Sequence, residues 1–222
     1  MPQLPNSDNR TAVVGSTGGG KTQFAAWLLS TRDFHIRPWV IFDFKRDKLI
    51  AEIEKLGALE ISIFGAPPTK PGIYIVRPMP ERDDAAVEKF LWKVLDNEET
   101  GLWFDEGYMI NRNSVALKAL LTQGRSKHIE MITLSQRPVF VSRFVFTEAS
   151  YFAIFNLTVK DDRDSVRGYL GDGVKINLLP KYHCTWYDVD KQEPCQFDPV
   201  PDRKAILSTF EARLKKRKPR LV

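Results

Sequence analysis

Thr11-Ala-Val-Val-Gly-Ser-Thr-Gly-Gly-Gly-Lys-Thr22 is the stretch on which the reading of this chain turns. From Gly15 to Thr22 it satisfies the spacing G-x-x-x-x-G-K-[ST] of a phosphate-binding loop. The apolar run Ala12-Val13-Val14 comes before it, and Phe24, Ala25, Trp27, Leu28 and Leu29 follow with helical periodicity. Strand, loop and helix is the context such a motif requires. The glycines let backbone N–H groups turn inward as an anion nest, and the helix starting near Lys21 adds the positive end of its dipole. Gly15, Ser16, Thr17, Gly18, Gly19 and Gly20 are thus expected to cradle phosphates. Lys21 is expected at the β- and γ-phosphates, and the Thr22 hydroxyl on Mg²⁺.

Composition sets the frame. The chain has 222 residues, 43% of them hydrophobic, enough for one domain with a sizeable core. No apolar run approaches the roughly 18 residues of a membrane span, and the start Met1-Pro-Gln-Leu-Pro-Asn does not read as a signal peptide. A soluble, intracellular protein is expected. Cys184 and Cys195 are too few for a disulfide framework. Adjacent His183 and Cys184 on a strand would point to opposite faces, which argues against a zinc site with Cys195. The formal net charge is +5, and residues 213–222 hold six Lys and Arg and no acid. Without those six the chain turns slightly negative, so the basic excess belongs to the end. Such an end is either a solvated tail or a contact for a polyanion.

The rest of the chain alternates strand and helix signals, which predicts an α/β fold with a mainly parallel, doubly wound sheet. Residues 1–10 read as a polar leader, residues 11–212 as one domain with a hairpin appendage at 171–201, and 213–222 as a basic tail. Strands are expected at 39–44, 59–64, 73–76, 102–105, 129–134 and 151–159, with a hairpin at 182–197. Expected caps are Asp47, Asp83 or Asp84, Ser114, Asp161 and Asp202. A short helix is expected within 139–146.

Phosphate binding alone does not make an ATPase. Leu102-Trp-Phe-Asp105-Glu106 supplies a buried run that ends in two acids. With a phosphate loop upstream, Asp105 is expected to bind Mg²⁺ and Glu106 to polarise the attacking water. Alone, the pair could simply cap the next turn. Arg125 lies just before the apolar run at 129–134, and Gln136 just after it, where a Gln can sense a γ-phosphate and report hydrolysis as movement. As unlinked residues both could be ordinary surface or capping groups.

Four blocks together resemble the FtsK/HerA superfamily of P-loop motors: Gly15–Thr22, Val40-Ile-Phe-Asp-Phe-Lys45, Phe104-Asp-Glu106, and Gly124-Arg125 through Ser135-Gln-Arg-Pro138. They span about residues 10–170. The resemblance implies a RecA-like sheet in which the strand before Gln136 lies between the phosphate-loop strand and the Asp105 strand. It implies ATP and Mg²⁺ as cofactors, Lys21 and Thr22 as nucleotide ligands, Asp105 and Glu106 for metal and hydrolysis, Gln136 as sensor, and Arg125 as an arginine finger acting on a neighbouring chain. It also implies a hexameric ring that pumps double-stranded DNA. The small size, without a membrane segment or a DNA-reading winged helix, is similar to the genome-packaging ATPases of tailless, membrane-containing viruses. A capsid or portal-vertex partner, and a place in the host cytoplasm or at the virion packaging vertex, are the matching expectations. A plasmid or conjugation DNA pump, a slow nucleotide-switched adaptor and a small-molecule kinase are the rival readings. A kinase would need a lid with arginines such as Arg77, Arg82, Arg163 and Arg167. Residues 171–222 carry no recognisable motif.

Overall fold

The computed structural model describes residues 4–171 and 173–215. Its centre is a sheet of nine strands among the described residues: β1 (Arg10–Val14), β2 (Pro38–Asp43), β3 (Leu59–Glu60), β4 (Gly72–Val76), β5 (Gly101–Asp105), β6 (Met131–Ser135), β7 (Tyr151–Ile154), β8 (Cys184–Asp188) and β9 (Glu193–Phe197). Their order across the sheet is β3-β4-β2-β5-β6-β1-β7-β8-β9. All pairings up to β7 are parallel, and β8 and β9 add antiparallel. β6 lies between β5 and β1, as the family resemblance implies.

The central strands are apolar on both faces because helices cover both. On one face Phe42, Phe104 and Phe152 pack with residues of α3 (Asp84–Asn97) and α4 (Val115–Gln123). On the other, Trp39, Ile41 and Trp103 pack with residues of α1 (Lys21–Ser30), α2 (Lys48–Lys55) and the C-terminal helix, residues 203–215. Successive residues of one strand, Trp103 and Phe104, thus serve opposite cores, as period-two geometry demands. Gly101 opens β5 because a Cβ there would sit 2.2 Å from the Trp39 ring. The glycine that interrupts the apolar run is therefore a packing requirement.

Several local expectations change. The strand expected at 59–64 shrinks to Leu59–Glu60, with Leu59 and Phe64 facing solvent while Ile63 is buried in the core and Ile61 packs against it. Asp83 stands at the start of α3 without capping it; its carboxylate accepts instead from the Met79 N–H at 2.8 Å. The helix expected within 139–146 splits into a 3₁₀ turn at Pro138–Phe140 and α5 (Phe144–Thr147). β7 stops at Ile154 because Asn156 leaves the ladder: its carbonyl accepts from Ser16 N–H at 2.8 Å, and its side chain bridges both backbone groups of Leu179. Helix α6 (Lys160–Arg167) begins after Val159, so Asp161 sits in its first turn and does not cap it.

Asp47 and Ser114 do cap, accepting from Leu49 N–H at 2.7 Å and Leu117 N–H at 3.0 Å. Asp202 caps the last helix, α7 (Arg203–Lys215), through Ala205 N–H at 2.8 Å. The hairpin β8–β9 continues the main sheet through β7, and Trp186 enters the core against Phe24 and Tyr151. α7 runs past residue 212, where a tail was expected. Arg213 donates to the carbonyls of Ser30 and Arg32 and lies 4.4 Å over the Phe34 ring, so it is docked rather than free. Residues 216–222 of the expected tail lie outside the described residues. No described helix is long and apolar enough to cross a membrane.

Candidate active site

The site gathers at the carboxyl edge of the parallel strands, where β1, β5, β6 and β7 end. The loop after β1 is fixed from three sides. Gly15 N–H donates to Ser135 O at 3.2 Å, Ser16 N–H to Asn156 O at 2.8 Å, and the Ser16 and Thr158 hydroxyls meet at 3.1 Å. Gly15 has φ +157°, and a Cβ on it would stand 2.5 Å from the Phe155 Cβ. No side chain fits there, so the close approach of loop and β7 requires glycine.

Lys21 begins α1 and is buried, its ammonium donating to the Ser16 carbonyl at 3.0 Å. Burial pushes its pKa down to about 8, against the pull of Glu106 and Asp105. A bound polyanion would restore the charged form and use a cation already aimed into the loop. The next residue, Thr22, donates through its hydroxyl to Asp105 Oδ1 at 3.3 Å. Asp105 closes β5 in the core of the edge, and burial, with Asp47 and Glu106 nearby, pushes it up to about 7. An acid this crowded by acids suits a divalent cation, which would neutralise it. Among the described residues no three His, Cys, Asp or Glu side chains close into a metal site. Mg²⁺ held by Thr22 and Asp105 would therefore take its remaining oxygens from phosphate and water, its usual arrangement with nucleotides.

Glu106 is also buried, and it adopts φ 72°, ψ 70°, a left-handed conformation that costs a non-glycine residue about 1–3 kcal/mol. That turn aims its carboxylate back over the edge. One oxygen pairs with the Lys45 ammonium and the other accepts from the Gln136 N–H at 3.1 Å. Gln136 Oε1 in turn accepts from the Thr17 hydroxyl at 2.6 Å, linking the end of β6 to the phosphate loop. A cavity of about 390 Å³ lies over these groups, lined by Thr17, Gly18, Lys21, Thr22, Lys45 and Gln136 among others.

The structure therefore brings together Gly15 to Thr22, Asp105, Glu106 and Gln136. It does not bring Arg125 to them. Arg125 lies exposed in a 3₁₀ turn (Gly124–Lys127) before β6, whereas Gln136 follows β6. A five-residue strand separates them by about 16 Å. Sequence reasoning puts Lys45 with Asp43 at the polar end of a strand but names no partner for it. The signal was present: Asp43 pairs with Asp105 across β2 and β5, so a cation two residues beyond Asp43 falls beside Glu106. Three arginines that a kinase lid would need are committed elsewhere. Arg77 is half-buried among Asp43, Glu54 and Glu60, Arg82 pairs with Asp83, and Arg163 donates to the carbonyls of Leu157 and Thr158.

A parallel sheet, a phosphate loop, and an Asp and a Glu delivered to one edge define a P-loop ATPase. Comparison with known proteins gives the family. Over 218 residues the chain is 40% identical to the DNA packaging ATPase P9 of Enterobacteria phage PRD1, covering 94% of this chain and 95% of that protein. The chain belongs to this family of DNA packaging ATPases. No protein-family model matches it. Among solved structures, B204, the DNA-packaging ATPase from Sulfolobus Turreted Icosahedral Virus, superposes with a TM-score of 0.68 at 21% identity, covering 89% of this chain and 100% of that one. VirB4 of Thermoanaerobacter pseudethanolicus superposes with a TM-score of 0.66 at 11% identity, covering 89% and 91%. Structures of the genome packaging NTPase B204 from Sulfolobus turreted icosahedral virus 2 hold ATP-gammaS, AMPPCP and AMP.

Proposed function

We propose that this chain hydrolyses ATP to drive double-stranded DNA into a preformed viral capsid, working as a ring of identical chains, most simply a hexamer. The observation that carries the reading is one cavity lined by Lys21, Thr22 and Gln136, with Asp105 bonded to Thr22 and Glu106 to Gln136 behind it, in a chain of the packaging family. The loop from Gly15 to Gly20 binds the phosphates through backbone N–H groups, and Lys21 leaves Ser16 O for the β- and γ-phosphates. Mg²⁺, when bound at Thr22 and Asp105, supplies charge neutralisation on the phosphate oxygens. Glu106 orients and deprotonates the attacking water. Gln136, already bonded to Thr17, carries the γ-phosphate's presence into β6.

Among the described residues Arg125 makes no close ion pair or side-chain hydrogen bond, with Asp8 near enough to feel its charge, and it stands at the opposite edge of the sheet from its own cavity. If such an arginine serves a nucleotide, it is a neighbouring chain's, which is the arrangement a ring would use. A capsid or portal-vertex protein is the matching partner, and the packaging vertex in the host cytoplasm the matching place. The conjugation pump is disfavoured by the family, and the kinase by the committed arginines.

The test is ATP turnover with and without double-stranded DNA, alongside electron microscopy with nucleotide and DNA. Turnover stimulated by DNA, in rings, is expected. Turnover indifferent to DNA in a persistent monomer would contradict the pump.

A further inference from the structure

Arg10 opens β1 at the amino edge, at the far end of that strand from the phosphate loop. It is only 4% exposed, and among the described residues its Nε and Nη2 have no hydrogen-bond partner. Nη1 alone donates, to the Asp8 carbonyl at 3.2 Å. No acid among the described residues comes within ion-pair distance of it; the Asp8 carboxylate meets the His128 ring at 2.7 Å instead. Such a guanidinium is unfavourable for the fold, because its charge is desolvated and its N–H groups are unmet. Burial pushes its pKa below the usual arginine value; Glu148 opposes that shift and Arg125 adds to it.

The guanidinium lies beneath the turn that carries Arg125. A Cβ on Gly124 would stand 3.4 Å from Arg10 Nη2 and 3.3 Å from the Ile129 Cβ, so only a glycine lets the turn close down on Arg10 without displacing one of them. The turn is fixed from both sides, by Gly124 N–H donating to Leu120 O and by Ile129 N–H donating to Gly124 O at 2.9 Å. Two arginine charges therefore meet across one turn, one enclosed and one in solvent. A charge shielded from water repels its like more strongly than a hydrated one does.

We propose that Arg10 is a positioning residue for Arg125: its buried charge beneath Gly124 keeps the Arg125 guanidinium turned out of its own chain, toward the nucleotide of a neighbour. The proposal rests on the reading of Arg125 as a finger acting on a neighbouring chain. Without the buried charge, Asp8, which already feels Arg125, and Glu148, which acts on Arg10, draw Arg125 back onto its own chain. The finger is then lost to the neighbour while the fold and the chain's own cavity are untouched.

The test uses mixed chains, with exchange confirmed by different tags and denaturant unfolding measured for every variant. Lys21→Ala chains lend Arg125 to Arg125→Ala chains, which supply the cavity, and the ATP hydrolysis they recover together is the reference. Arg10→Met keeps the length of the side chain and removes its charge. Placed in the Lys21→Ala chain, whose Arg125 is the working one, it should lower the recovered hydrolysis about tenfold or more. Placed in the Arg125→Ala chain, where Arg10 has nothing to position, it should leave the recovery unchanged. Arg10→Met should unfold at the same or a higher denaturant concentration, since it removes an unmet buried charge. Arg10→Gln, uncharged but still able to donate to Asp8 O, is a second variant and should show the same asymmetry. An equal loss in both placements would make Arg10 an ordinary residue of the fold, and no loss in either would make it idle; each result overturns the proposal, as would full recovery with Arg10→Gln. Arg125→Ala by itself isolates the underlying reading: if it hydrolyses ATP like the unaltered protein, the finger and its positioning residue fall together.

Discussion

Asp105 and Glu130 are both buried acids at the ends of neighbouring strands, and burial pushes each up to about 7. Their surroundings differ. Glu130, before β6 at the amino edge, meets Arg37 at 2.9 Å and Arg32 at 3.4 Å, and Arg37 also donates to His128 O. Asp105, at the carboxyl edge, receives one hydroxyl at 3.3 Å and lies among further acids. At the amino edge Glu130 is satisfied by the chain's own arginines, a contact that holds the fold. The carboxyl edge leaves charge unsatisfied and backbone strained, at Glu106, which is what a site awaiting a cation and a polyanion requires. Two arginines depart from that pattern at the amino edge: Arg10, buried with two nitrogens lacking a partner among the described residues, and Arg125, exposed to solvent.

Substitutions should separate the two edges. Arg125→Ala should show the largest effect, a loss on the order of 10³–10⁵ in ATP turnover with ATP binding intact, because it removes stabilisation of transition-state charge. A surface arginine that only capped α4 would leave turnover nearly unchanged. Glu106→Gln should keep the geometry and ATP affinity while turnover falls by about 10²–10⁴, read by single-turnover kinetics beside equilibrium binding. If binding is lost as well, Glu106 serves the nucleotide and not the water.

At the amino edge the readout changes from rate to stability. Glu130→Ala removes the carboxylate shared by Arg37 and Arg32, while Arg37 keeps Asp33 at 2.7 Å, and should cost about 1–3 kcal/mol in denaturant unfolding, with ATP affinity of the folded protein unaltered. Unchanged stability would mean the clamp is dispensable. The smallest effect belongs to Ser114→Ala, which removes the α4 cap and should cost about 1 kcal/mol in the same assay.

The split between edges was partly legible in the sequence. Gly15–Thr22 and the Asp105–Glu106 pair are local patterns, complete within a few residues, and the buried runs before them announce parallel strands. Lys45 was not given its role because its partner lies 61 residues away and meets it only through the β2–β5 register. Tyr182 carried no local signal at all; the sheet brings it to Gly20 by way of β7 and β8. The Asp83 cap failed because a carboxylate near a helix start has a competing donor, Met79 N–H, that composition does not reveal. Arg125 could be placed beside its strand, but the role proposed for it in a neighbouring chain would leave no mark within this one.

The central claim is that one chain's carboxyl edge works with another chain's amino edge. Mixing Lys21→Ala chains, which keep Arg125, with Arg125→Ala chains, which keep a sound cavity, measures this directly once differently tagged chains are seen to exchange. The account predicts that ATP hydrolysis, nearly absent from either variant alone, returns in the mixture at interfaces where each chain supplies what the other lacks. Exchange without any return of hydrolysis would contradict it.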